Sequence, residues 1–159
     1  MPAWGDDPEL LATFRAEVEE RLASLQAGLL ELEGAGAPRP VVQRLFRDAH
    51  TVKGSARMLG LTGVLSVAHG MEDLLGLLRD GRVAVRRDLV DLLLASSDGI
   101  ARALPGITVV ADQGARERQY RFPVRFRISD STPAEEAALN ACIDRYPQLV
   151  RGVLTERDR

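Results

Sequence analysis

The sequence predicts a mainly α fold, an up-down antiparallel four-helix bundle over residues 7–104, followed by a C-terminal extension over 105–159. Three observations predict it. Apolar residues in the first hundred positions recur at steps of three and four, which lines one face of a helix. Short breaks containing Gly, Pro or Asp separate these periodic segments, and connections of a few residues make consecutive helices antiparallel neighbours. Leucine and alanine dominate this region, while aromatic residues make up only 4% of the chain.

The first helix begins with Asp7 as cap, Pro8 at the first helical position and Glu9 beside it. Leu11, Phe14, Val18, Leu22, Leu25, Leu29 and Leu32 form its apolar stripe, and Gly34-Ala35-Gly36-Ala37-Pro38 ends it. A second helix runs from near Pro40 to Gly60, with Val42, Leu45, Ala49, Val52, Ala56 and Leu59 within one arc. The third spans about Thr62 to Arg79, with Val64, Ala68, Met71, Leu75 and Leu78 inward, and Asp80-Gly81 closes it. The fourth starts behind Asp88 and continues through Leu89, Val90, Leu92, Leu93, Leu94, Ile100 and Leu104 to Pro105-Gly106. Beyond it, Tyr120, Phe122, Val124, Phe126 and Ile128 alternate with Gln119, Arg121, Pro123, Arg125 and Arg127, a strand over 119–128 with one basic face. Ile107 to Val110 is its candidate hairpin partner. Thr132-Pro133-Ala134-Glu135 is a capping signature that opens a helix over 133–146. The basic strand face has a plain reading as a solvated surface.

Net charge is only −2, so no general attraction to nucleic acid or membrane is expected. Few aromatics argue against base-stacking platforms. Cys142 is the single cysteine, which excludes an internal disulfide and favours a reducing compartment. With no apolar run near 20 residues and no signal-peptide pattern, the chain reads as cytoplasmic.

The most informative stretch is Phe46-Arg47-Asp48-Ala49-His50-Thr51-Val52-Lys53-Gly54-Ser55-Ala56-Arg57. His50 lies roughly 130° from the middle of the apolar arc, on the solvent side, among Gln43, Arg47, Gly54 and Arg57. Lys53 and Gly54 stand one turn further along the same side. A mid-helix glycine costs about 0.5–1 kcal/mol relative to alanine, which suits a backbone that something must approach closely. An exposed neutral imidazole is a nucleophile at physiological pH, and phosphorylation of a ring nitrogen gives a phosphoramidate that stores and passes on the group. Such a site needs nearby positive charge, from Lys53 with Arg47 and Arg57, and an acceptor for the other ring nitrogen. Glu72, spaced i,i+3 from His69 on the third helix, can reach His50 if the second and third helices are antiparallel neighbours. It would fix the tautomer and raise nucleophilicity. The plain alternative for His69 and Glu72 is a solvated helical pair. A zinc site of His50, His69 and Glu72 lacks a further carboxylate or cysteine at ligand spacing.

His50-Thr51-Val52-Lys53-Gly54-Ser55-Ala56, followed by Leu59-Gly60, resembles the H-x-x-K-G-small signature of histidine phosphotransfer (HPt) domains. Leu45 to Ala49 and Ala68 to Leu75 are similar to the N-terminal phosphotransfer domain of CheA-type chemotaxis histidine kinases, as is Leu89 to Asp98. The resemblance covers residues 7–104. It implies His50 as phospho-acceptor, Lys53 as electrostatic assistant, Glu72 as acceptor of a ring hydrogen bond, and His69 in the same network. Arg47, Gly54 and Arg57 would meet docking partners. Those partners are the ATP-binding domain of a histidine kinase and the receiver domain of a response regulator. ATP and Mg²⁺ would belong to the partners, with no cofactor in this chain, and the isolated module would be monomeric. No G-x-G-x-x-G or Walker-type loop is present, so no autonomous kinase activity is expected. The competing reading is a non-catalytic helical interaction or scaffold domain with an unphosphorylated site.

Overall fold

Asp7 does what a helix cap requires: its Oδ1 accepts from the backbone N–H of Glu9 at 3.0 Å and of Leu10 at 3.3 Å. A computed structural model describes residues 7–35, 38–103, 132–147 and 149, and the described residues form five helices. These are α1 (Pro8–Ala35), α2 (Arg39–Leu59), α3 (Thr62–Arg79), α4 (Arg87–Ala103) and α5 (Pro133–Arg145). Contacts of α1 with α2 and α4, and of α3 with α2 and α4, close a four-helix ring, and α5 packs on α3 outside it. Among the described residues there is no strand. The strand expected over 119–128, its partner at 107–110 and Leu104 fall outside the described residues.

Two glycines make the tight ends. Gly60 and Gly81 have φ of 70° and 69°, the left-handed region that side chains resist. After α2, Leu61 N–H bonds Ala56 O at 3.0 Å and Gly60 N–H bonds Arg57 O at 3.2 Å. After α3, Arg82 N–H bonds Leu77 O at 3.0 Å in the same way. Each motif satisfies the last carbonyls and reverses the chain within two residues. At α4 the helix begins at Arg87, slightly before the expected start. Asp88 sits inside the first turn, where its carboxylate takes Leu89 N–H at 2.8 Å and the Arg86 guanidinium. Thr132 and Glu135 form a reciprocal capping box at α5, which ends one residue before Tyr146.

The expected stripes supply the core. Leu22, Leu25, Leu29, Leu45, Leu75, Leu89 and Leu93 are completely buried, each stabilising the fold by about 1.5–3 kcal/mol. Leu11 and Leu59 are only partly buried at the ends of their stripes. Gly28 sets the spacing of α1 and α2, since a Cβ there would lie 2.6 Å from Leu45 Cδ2. The periodicity gave no sign of Asp48. Its carboxylate, 2% exposed, takes a 2.6 Å hydrogen bond from Ser24 and a 3.3 Å ion pair from Arg21. This polar tie across α1 and α2 lies two residues before His50. No helix among the described residues is long and apolar enough to cross a membrane.

Candidate functional site

Packing of Leu45, Ala49, Val52 and Ala56 inward turns His50 outward, with its side chain 64% exposed. The Gly60–Leu61 reversal brings α3 back alongside, so that Glu72 faces His50 across the pair. The His50 Nδ1–H donates to Glu72 Oε2 at 2.9 Å. Lys53 Nζ donates to the same carboxylate, at 3.0 Å from Oε1 and 2.9 Å from Oε2. Lys53 and Glu72 are each 12% exposed. Lys53 is therefore tied down beside the imidazole by the carboxylate that holds the ring.

Burial pushes the Glu72 carboxyl up, but hydrogen bonds from Lys53 and His50, and then their charges, outweigh it. The net direction is below the usual value of 4.5. An ionised Glu72 accepts only, so a neutral His50 ring bonded to it carries its proton on Nδ1. Nε2 then holds the free lone pair. One nitrogen is occupied and the other is a nucleophile on an exposed ring.

The other expected site residues are arranged differently. His69 lies one turn before Glu72 on α3 but makes no hydrogen bond among the described residues. Its ring packs on Tyr146, with centroids 4.8 Å apart and planes at 46°. Arg47 and Arg57 are exposed on either side of His50. A Cβ at Gly54 would meet nothing within 4 Å, so no packing inside this chain requires glycine there. Sequence reasoning missed Tyr146. The available signal was Gly70, directly after His69, where a Cβ would lie 2.6 Å from Leu149 Cδ1 and 3.0 Å from Tyr146 Cβ.

Bundle, exposed imidazole and carboxylate brace together define a histidine phosphotransfer module. Residues 9–104 match the family model of the Hpt domain, and the chain belongs to that family. It is similar to the chemotaxis protein CheA of Halobacterium salinarum, 36% identical over 104 residues that cover 65% of this chain and 16% of that protein. It is similar also to the chemotaxis protein CheA of Treponema pallidum, 36% identical over 157 residues, covering 94% and 19%. The chain thus spans less than a fifth of the length of these relatives. Among solved structures it resembles the phosphorylated P1 domain of CheA3 in complex with CheY6 from R. sphaeroides. There the TM-score is 0.59 at 31% identity, over 87% of this chain and 98% of that one.

Proposed function

We propose that this chain is the phosphoryl carrier of a chemotaxis-type two-component pathway in the cytoplasm, with His50 as the acceptor. The observation that carries the reading is the His50 Nδ1–Glu72 hydrogen bond on an exposed ring, which leaves Nε2 as the reactive nitrogen. In the first step the Nε2 lone pair attacks the γ-phosphorus of ATP held by a separate kinase domain. The bond from phosphorus to the bridging oxygen breaks and ADP leaves with that electron pair. Nδ1 keeps its proton, so the ring becomes cationic as the N–P bond forms, and the Glu72 carboxylate stabilises the growing charge. In the second step an aspartate oxygen of a receiver domain attacks phosphorus. The N–P bond breaks, and its electron pair returns to Nε2 to regenerate the neutral ring. Lys53 offsets the Glu72 charge, so that an incoming phosphoryl group does not face an unpaired carboxylate. Arg47 and Arg57 add positive field, and Gly54 leaves the helix surface low where a partner seats. Mg²⁺ is supplied at the partners' sites.

The receiver partner is supported by the P1 domain of CheA3, which is phosphorylated and bound to CheY6. The test is incubation of the full chain with a histidine-kinase ATP-binding core and labelled ATP, followed by addition of a receiver. An acid-labile, base-stable phosphate is expected on the wild type, absent from His50→Gln and lost to the receiver on mixing. Equal labelling of His50→Gln would refute the assignment.

A further inference from the structure

The segment matched by the family ends at residue 104, yet α5 touches the site from behind. Glu72 has two flanks. On one are His50 and Lys53 of α2. On the other is a cleft between α3 and α5, which Glu72 lines together with Gly76, Ala138, Cys142 and Arg145. The α3 residues around Glu72 are held by two residues at the end of α5. Tyr146 packs its ring on His69, three residues before Glu72. Arg145 adds a 3.5 Å ion pair to Asp73, the next residue after Glu72. Close approach is possible because Gly70 has no side chain to hold α5 away. Beneath it, Cys142 Sγ donates to the Gly70 carbonyl at 3.8 Å, and Leu139 and Leu149 are fully buried.

We infer that Tyr146 is a positioning residue for phosphotransfer, clamping the α3 turn that presents Glu72 to His50, so that α5 belongs to the reactive module. The inference rests on His50 being the acceptor. A carboxylate acts on its partner through distance and dryness. A hydrogen bond near 2.9 Å weakens steeply as it lengthens, and water entering from the α5 side raises the local dielectric. Packing of the Tyr146 ring on His69 fixes the first quantity, and α5 seated on α3 fixes the second. The role needs the aromatic ring, since a ring on His69 is what spans the gap between α5 and α3.

The test uses the full chain with Tyr146→Phe, which keeps the ring, and Tyr146→Leu, which keeps apolar bulk beside Leu149 without it. Two readouts are taken. One is the rate of His50 phosphorylation by a kinase core with ATP, separated into kcat and KM. The other is the ¹⁵N shifts of the two histidine rings, which report the His50 tautomer with no kinase present. Tyr146→Leu is expected to lower kcat about three- to tenfold, with KM within twofold and less Nδ1–H tautomer at His50. Tyr146→Phe should stay within twofold of wild type in rate and keep the tautomer. A purely structural clamp would make the two variants behave alike, and that result overturns the inference, as does an unchanged His50 tautomer in Tyr146→Leu. Failure of the wild type to take phosphate would sink the acceptor assignment, while the ring shifts would still decide the role of Tyr146.

Discussion

Replacing Glu72 by glutamine removes one charge and almost no volume, so it isolates the electrostatic part of the brace. The carboxylate accepts from His50 Nδ1 at 2.9 Å and from Lys53 at 2.9–3.0 Å. A hydrogen bond to an ionised group is worth about 1.5–3 kcal/mol, against about 0.5–1.5 for a neutral one. The bond to His50 gains most as the ring becomes cationic, so the variant loses about 1–2 kcal/mol in the transition state. That corresponds to roughly a 5- to 30-fold fall in the rate of phosphorylation. Because Glu72 is only 12% exposed and stands behind the ring, docking of a partner is untouched and the loss falls in kcat. The assay is the initial rate of acid-labile phosphate formation at several concentrations of the chain, with a fixed kinase core and saturating ATP. A kcat within twofold of wild type, or a loss confined to KM, would refute the reasoning.

Three further outcomes are expected. Since the folded Glu72 titrates below its usual 4.5, the stability it contributes is fully present above that value and is lost as pH falls through the lowered one. Urea unfolding of wild type and Glu72→Gln should therefore converge as pH falls below 4.5, and a gap that widens there would contradict the direction of the shift. Gly54→Ala should stabilise the fold by about 0.5–1 kcal/mol, because a Cβ there meets nothing, yet slow transfer to a receiver. A destabilised variant, or one with unaltered transfer, counts against an open docking surface at Gly54. Asp48→Ala should cost about 1–3 kcal/mol in urea unfolding by stripping Ser24 and Arg21 of a buried acceptor. A loss under about 0.5 kcal/mol would mean that this tie is idle.

What the sequence discloses about this molecule follows how far each interaction reaches along the chain. The helices were legible because their stripes repeat every three or four residues, and Gly60, Gly81 and Thr132 carry their own local geometry. The pairing of His50 with Glu72 was legible one step further, since a short reversal makes α2 and α3 neighbours. His69 was placed with Glu72 by spacing, but its ring partner is Tyr146, 77 positions on, and periodicity within α3 says nothing of α5. Asp48 escaped for a related reason. It lies next to Ala49 on the buried side, and an acidic residue there declares itself only when Ser24 and Arg21 are seen opposite. Sequence shows Lys53 only as positive charge near His50, while its ion pair with Glu72 depends on the rotation of two helices about one another.

The Gly60 reversal also bears on the order in which the molecule assembles. His50 and Glu72 are 22 residues apart and belong to a single helical hairpin, whereas Cys142 and Gly70, like Arg145 and Asp73, are separated by 72. Closing the longer loop costs about 1 kcal/mol more in chain entropy. Contacts close in sequence also form faster than remote ones. The histidine and its brace therefore meet early, within a unit that emerges whole from the ribosome, and α5 arrives afterwards on a surface already shaped. A nucleophile and its carboxylate contained in one hairpin form a portable pair, which a different first and fourth helix could bury without rebuilding the chemistry.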